Sequence, residues 1–98
     1  MYASIRRAKG KPGSIAEAIQ KTEQGFLPIL SQVPGFVAYY LVDLGDDTVA
    51  TVSIFQDKAG AEESSRRAQD WVKGSLAPLM AGPLEIIGVG EVVVQKTG

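Results

Sequence analysis

Few residues in this chain could do chemistry, because its 98 residues include no cysteine, no histidine and no asparagine. Histidine is the commonest general base and the commonest ligand of transition metals, so neither role can rest on it here. Without cysteine there is no thiolate chemistry and no disulfide. Any reaction must use arginine, lysine, tyrosine, serine, carboxylates, backbone groups or the substrate itself, and we predict no metal site.

One group of candidate residues lies on a predicted second helix, residues 58–76. Trp71, Arg67 and Ser64 are spaced by four and three residues, which places them on one helical face. The tryptophan either fills the core, its commoner role, or stacks against a substrate. The arginine could bind a carboxylate, phenolate or enolate through a forked contact. Alternatively, its aliphatic part lies along the sheet and its guanidinium reaches solvent or a carboxylate. A helical phase shifted by one residue would present Arg66 instead.

A second pair of candidates is adjacent on the first predicted strand. Because side chains alternate across a strand, Arg6 and Arg7 point to opposite faces whatever the phase. A buried arginine requires an anion, and either Glu91 on the last predicted strand or a bound ligand could supply one. Alternatively, both arginines are solvated at a fraying strand end.

Hydroxyl and aromatic side chains on the central hairpin could line a cavity with these arginines. Thr51, Ser53 and Phe55 share one face of the third predicted strand, with Phe55 placed to exclude water. Tyr39 and Tyr40 point to opposite faces, so only one of them can donate to a substrate oxygen. Our candidate is Tyr40.

The elements that position these residues follow from periodicity and turn signals. The sequence predicts a capping box at Ser14 and Glu17 that starts the first helix, which ends before Pro34 with a kink near Pro28. It also predicts Asp57 as the N-cap of the second helix. The predicted elements are a strand at 2–9, a helix at 14–33, strands at 36–42 and 48–55, a helix at 58–76 and a strand at 84–95. This is the ferredoxin-like β-α-β-β-α-β order, an α+β fold whose four-stranded antiparallel sheet has strands 1 and 3 in its centre. We expect one domain over residues 1–98.

The surface of the predicted sheet indicates a partner of the same kind. Both faces of the second strand are apolar, so both need a cover, and helices can supply only one. The other cover is most simply a second copy, which predicts a homodimer through the open sheet face. A net charge of −1 argues against nucleic-acid binding. The N-terminus resembles no secretory signal and no segment is long enough to span a membrane, so we expect a cytoplasmic protein.

Four segments of the sequence carry a family resemblance: the opening MYASIRR, Pro34-Gly35-Phe36, SIFQDKAGAEES and Trp71. Through them the chain resembles the dimeric α/β-barrel superfamily, and within it the antibiotic-biosynthesis-monooxygenase-like group, over nearly its whole length. The group contains cofactor-independent quinol-forming oxygenases, haem-degrading oxygenases and members of unknown role. Of the Asn, Trp and His of the haem-degrading branch, only the tryptophan is present. Where the polyketide-oxygenase branch has an asparagine one turn before the tryptophan, this chain has Arg67.

The resemblance implies a cofactor-independent monooxygenase-like protein that acts on or binds a small aromatic or enolisable molecule. The implied catalytic residues are Arg67 and Trp71, and the candidate substrate-binding residues are Arg6, Tyr40, Thr51, Ser53, Phe55 and Ser64. The alternative is a non-catalytic homodimer that binds a small ligand, which the shortage of acid–base groups favours. The sequence leaves open whether the protein is an enzyme.

Overall fold

The computed structural model describes residues 1–98 and confirms the predicted fold. Its elements are β1 (Tyr2–Lys9), α1 (Ile15–Lys21), a first π-helical turn (Thr22–Phe26), α2 (Leu27–Leu30), β2 (Phe36–Gly45), β3 (Thr48–Phe55), α3 (Lys58–Trp71), a second π-helical turn (Val72–Leu76), a 3-10 turn (Ala77–Leu79) and β4 (Glu85–Glu91). The four strands form one antiparallel sheet in the order β2-β3-β1-β4. β1 and β3 are central, as the right-handed crossovers require.

The first helical segment begins and bends for local reasons. The predicted capping box is wrong, because the Ser14 hydroxyl donates to the carbonyls of Lys11 and Leu79, at 2.6 and 3.1 Å, rather than capping the helix. The first π-helical turn directly precedes α2, whose second residue is Pro28. Proline has no amide to donate back to the preceding turn, which explains the predicted irregularity at this point. At the start of α3, Asp57 is the predicted N-cap and accepts from the Gly60 amide at 2.8 Å.

Two strands, β2 and β4, end at residues other than the predicted ones, because a strand ends where its pairing with the neighbouring strand ends. β2 extends to Gly45, because the chain reverses only at Asp46 and Asp47, whose φ angles are 51° and 58°. Two left-handed residues form a tight hairpin turn that leaves the preceding residues free to pair. β4 ends at Glu91 instead of Gln95: Glu91 lies opposite Tyr2, the first residue of β1, and beyond this pair the Val92 amide still donates to the Met1 carbonyl at 2.9 Å.

A bulge in β2 changes which side chains face the helices. Pairing shifts between Phe36 and Ala38, so Phe36 lies opposite Phe55 on the helix side while Ala38 lies opposite Ile54 on the other side. Simple alternation would place Phe36 on the same face as Ala38, and the extra residue of the bulge breaks that parity. The two phenylalanine rings meet edge to face, with centroids 5.7 Å apart.

The core lies between the sheet and the helices and leaves the opposite sheet face uncovered. Its buried centre consists of Phe26, Leu30, Val33, Phe55, Ala61 and Ala68. On the uncovered face, Tyr40, Val52 and Ile5 form one row across three strands. The uncovered face is therefore apolar at its centre. No helix of this fold is long and apolar enough to cross a membrane.

Candidate functional site

A cavity of about 60 Å³ lies between the sheet and the helices. Most of its lining is apolar, with side chains from β1, β2, β3, α1, α3, the two π-helical turns and the 3-10 turn. The polar side chains in the lining are Arg6, Tyr39, Thr51 and Thr22. Half-exposed Trp71, Val72 and Met80 lie in the wall, so this part of the cavity borders solvent. A cavity of ~150 Å³ holds benzene in a protein core, so a ring-sized ligand here requires some wall side chains to move.

Arg6 supplies the positive charge in the cavity lining, and it is held by neutral groups. Its side chain is 1% exposed. Three elements surround the guanidinium with hydroxyls, here called the hydroxyl cage: Ser4 on β1, Thr51 and Ser53 on β3, and Ser64 and Ser65 on α3. Nε donates to Thr51 Oγ1 at 3.0 Å, Nη2 to Ser53 Oγ at 2.5 Å and Nη1 to Ser4 Oγ at 3.1 Å. The cage fixes the position and plane of the guanidinium without neutralising it.

The spacing of these residues along the strands explains why the hydroxyl cage forms around Arg6. Ser4 and Arg6 are two residues apart on β1, and Thr51 and Ser53 are two apart on β3, so each pair shares a face. Arg6 lies directly opposite Thr51 in the antiparallel register. Ser64 and Ser65 approach from α3 above the sheet, and the Ser64 hydroxyl also donates to the Ala61 carbonyl at 2.7 Å. Small hydroxyl side chains let this helix lie close over the arginine.

Burial shifts the titration of the two ionisable groups at the polar end of the cavity. It lowers the pKa of Arg6 because the charged guanidinium loses its hydration, an effect that the nearby Tyr39 hydroxyl partly offsets. It raises the pKa of Tyr39 because a phenolate would also be poorly solvated, although Arg6 and Thr51 oppose this shift. Tyr39 is therefore a neutral phenol at physiological pH and can donate a hydrogen bond.

Trp71 forms the aromatic wall of the cavity together with Phe26. Their ring centroids are 5.5 Å apart and their planes are tilted by 38°. The indole lies against the backbone of Gly25, where an added Cβ would come within 3.0 Å of Trp71 Cζ2. Phe26 ends the first π-helical turn, and Trp71 directly precedes the second. Single π-helical turns occur frequently at functional sites, and here two of them flank the aromatic wall.

Comparison with known proteins places this geometry in a structural group. No family model and no curated protein matches the sequence. Among solved structures, a protein of unknown function from Nitrosomonas europaea aligns with a TM-score of 0.77 at 24% identity, over 99% of this chain and 93% of its own. A monooxygenase from Streptomyces coelicolor, solved in complex with nanaomycin D, has a TM-score of 0.69 at 13% identity, over 98% and 92% of the two chains.

A dimeric ferredoxin-like protein from an uncultured marine organism also aligns, with a TM-score of 0.71 at 11% identity, over 99% of this chain and 97% of its own. The chain has the ferredoxin-like α+β fold of these proteins, which is also the fold of two proteins described as putative antibiotic biosynthesis monooxygenases. The resemblance predicted from the sequence is therefore confirmed at the level of fold. At these identities, the likeness carries no further information about activity.

The cavity brings together only part of the predicted site. Arg6, Thr51 and Trp71 line it directly. Ser53 and Ser64 lie behind Arg6 as members of the hydroxyl cage. Glu91, the carboxylate considered as a partner of Arg6, pairs with Tyr2 at the end of the sheet. Of the two adjacent arginines, Arg6 points toward the helices, and Arg7 lies on the opposite face of the sheet.

Three predicted site residues belong neither to the cavity lining nor to the hydroxyl cage, which corrects their expected placement. Arg67 is on the solvent side of α3, where its Nε is 3.6 Å from the Glu63 carboxylate. Tyr40 is 59% exposed on the uncovered sheet face. Phe55 is fully buried, but in the core under α3 rather than in the cavity lining. Arg66, the alternative to Arg67, also pairs with Glu63 on the surface.

The residues that the sequence reasoning missed are Tyr39, Phe26, Ser4 and Ser65. Tyr39 takes the place expected for Tyr40, and its signal was present, because it lies two residues from Leu41 on the same face of β2. Ser4 had a signal too, since it precedes Arg6 by two residues. Phe26 was recognised only as part of the apolar stripe of the first helix. Ser65 was missed because the predicted inner face of the helix carried Ser64, and in the structure both hydroxyls accept from Arg6.

The titration of Tyr39 gives a prediction that needs no ligand. Because the folded-state pKa of Tyr39 is raised above its ordinary value of 10.0, the folded protein retains this proton at pH values where the unfolded chain has lost it. The free energy of unfolding should therefore fall as pH rises from about 10 through the raised pKa. Urea unfolding at stepped alkaline pH measures this. Tyr39→Phe should weaken the pH dependence, and an unchanged profile in that variant would contradict the assignment.

Proposed function

We propose that the cavity binds a small aromatic or enolisable molecule and that the protein acts on it as a cofactor-independent monooxygenase. The observation that carries this proposal is the arrangement of one apolar cavity with an aromatic wall at Trp71 and Phe26 and a polar end at Arg6 and Tyr39. Largely apolar cavities with a few convergent polar groups are typical small-molecule sites. The aromatic wall suits a planar ring, and the polar end suits an oxygen attached to it.

The chemistry fits a reaction in which the substrate supplies the electrons. A phenol or enol is oxidised by O₂: the O–O bond breaks, one oxygen atom enters the organic product, and the other leaves as water with two hydrogen atoms that the substrate gives up, so no external reductant is needed. In this proposal Tyr39 donates to the substrate oxygen, and the apolar wall excludes bulk water from the reacting ring. The solved monooxygenase of the same fold, with nanaomycin D bound, gives support by analogy of fold alone.

A second candidate function is ligand binding without a reaction. It is favoured by the absence of any carboxylate or histidine among the cavity-lining residues, so no side chain there is an ordinary general base. On this alternative the protein is a homodimeric binding module for a small molecule. The two candidates differ in whether bound ligand consumes O₂.

We also propose that two copies associate through the uncovered sheet face. The rows of this face carry Tyr40, Val52 and Ile5 in the centre, and a charged pair, Arg7 and Glu85, at one end. Ala3, Ala38, Ala50, Gly88 and Gly90 occupy other positions on the same face and allow a second sheet to approach closely. The structural likeness to a protein described as dimeric supports the same assembly.

The experiment that tests the activity uses the one tryptophan of the chain as its reporter. A panel of quinols, phenols and 1,3-diketones is titrated against Trp71 fluorescence while O₂ consumption is recorded. Saturable quenching with protein-dependent O₂ uptake is the expected result. Quenching without O₂ uptake favours the binding module. A signal that no compound changes would contradict both functions.

A further inference from the structure

Arg6 differs from every other arginine of the chain in having no carboxylate partner. Arg7 pairs with Glu85 at 2.9 Å, and Arg66 and Arg67 both pair with Glu63. These three arginines are at the surface, where a counter-charge is least needed. The most buried arginine is thus the one whose neighbours are all neutral hydroxyls.

An unpaired buried guanidinium is costly to keep. Transfer of an ion from water to the protein interior carries a penalty that hydrogen bonds to neutral groups offset only in part. The lowered pKa of Arg6 has the same physical origin. A fold that needed only to fill this space could use an apolar side chain in place of the arginine and its cage. The net positive charge therefore points to a negative group that the folded chain does not itself contain.

The cavity is the place from which that negative group can reach Arg6. Arg6, Thr51 and Tyr39 form its polar end, and its remaining lining residues are uncharged. The protonated Tyr39 hydroxyl adds a donor beside the guanidinium. One cation and one neutral donor suit one anionic oxygen, and the apolar, aromatic remainder suits a flat ring.

We infer that the cavity binds its ligand as a monoanion, with a carboxylate or phenolate oxygen at Arg6 and Tyr39 and an aromatic ring toward Trp71. This inference rests on the proposed function, because it assigns the charge and substrate class of that same cavity. A doubly charged ligand such as a phosphate ester would leave one charge unpaired. The small cavity volume limits the ligand to about one ring.

The test compares two ligands of nearly the same shape, benzoate and benzamide, by quenching of Trp71 fluorescence. A charge-assisted hydrogen bond is worth about 1.5–3 kcal/mol, so benzoate should bind roughly 10- to 100-fold more tightly than benzamide. In Arg6→Gln this preference should disappear. Arg7→Gln is the matched control, since it removes the same charge one residue away on the opposite sheet face, and it should keep the preference.

A second measurement needs no variant and remains decisive if Arg6→Gln fails to fold. 4-Nitrophenol absorbs at longer wavelength when ionised, so its spectrum reports its charge directly. Wild-type protein should shift the bound phenol toward the phenolate at a fixed pH below the pKa of the free compound. A bound phenol that stays neutral would overturn the phenolate half of the inference, and the benzoate comparison then decides the carboxylate half.

The remaining outcomes separate the charge assignment from the proposed function. Equal binding of benzoate and benzamide overturns the carboxylate half, and together with a bound phenol that stays neutral it overturns the monoanion inference as a whole while leaving the cavity as a binding site. A preference for benzoate that persists in Arg6→Gln also overturns it, because another group must then supply the charge. If neither compound changes Trp71 fluorescence at any concentration, the proposed function and this inference are both wrong.

Discussion

Replacing Phe55 by alanine is expected to remove about 3–5 kcal/mol from the free energy of unfolding. The ring is fully buried, meets Phe36 edge to face and lies so close to Gly60 that a Cβ there would be 2.7 Å from its Cδ1. Helix α3 begins beside this contact, so the cavity left by the substitution would lie between helix and sheet and could collapse little. For a domain of this size the midpoint of thermal unfolding should fall by about 12 °C or more.

Phe36→Ala is the matched control for this prediction. Phe36 is the other member of the aromatic pair but is only half-buried at the edge strand, so its loss should cost clearly less. Urea unfolding at fixed pH and fixed protein concentration compares the two variants, since any dimer makes stability depend on concentration. Equal losses in the two variants would contradict the placement of Phe55 at the centre of the core.

The second large effect is expected on assembly. Val52→Glu places a carboxylate in the middle of the uncovered sheet face, between Ile5 and Tyr40. In the proposed dimer the symmetry buries two such carboxylates without partners, each at a cost on the order of several kcal/mol. The dimer should weaken by at least about a thousand-fold, since each ~1.4 kcal/mol is a factor of ten. Sedimentation equilibrium should then find the mass of a single chain.

Ala59→Glu provides the control for charge. It introduces the same carboxylate on the exposed first turn of α3, far from the uncovered sheet face. This variant should sediment like the wild type, and both variants should keep the circular dichroism of the folded protein. A wild-type protein that is already monomeric at high concentration, or a Val52→Glu protein that stays dimeric, would contradict assembly through this face.

The fold was predictable from the sequence because its signals are local. The bounds of β1 and β3 match the predicted strands, and Asp57 caps α3 as its position suggested. The strand ends that were misplaced depend on pairing with distant residues. β4 stops at Glu91, opposite the first residue of β1, and no feature of the sequence Val92 to Gln95 reveals this.

The site was less predictable because it depends on which face of each strand and helix points toward the core. Alternation separates Arg6 from Arg7 but does not say which of them faces the helices, and β2, which is apolar on both faces, offers no contrast to decide it. The bulge after Phe36 then changes the parity of one strand. On α3 the inner face carries small residues such as Ala61, Ser64 and Ala68. Because these residues form only a weak hydrophobic stripe, the sequence does not fix the rotation of the helix, and Arg67 was predicted to point inward although it lies beside Glu63 on the surface.

The most direct test of the binding cavity is an NMR titration that follows the single indole N–H signal of Trp71 in ¹⁵N-labelled protein as benzoate is added. Occupation of the cavity predicts a saturable shift of this signal, together with shifts of the Tyr39 and Thr51 amides. Contacts from the ligand ring to Trp71 and Phe26 should appear as nuclear Overhauser effects. A ligand that shifts only surface amides such as those of Glu63 and Arg67, and leaves the indole signal unmoved, would contradict a binding site between the sheet and the helices.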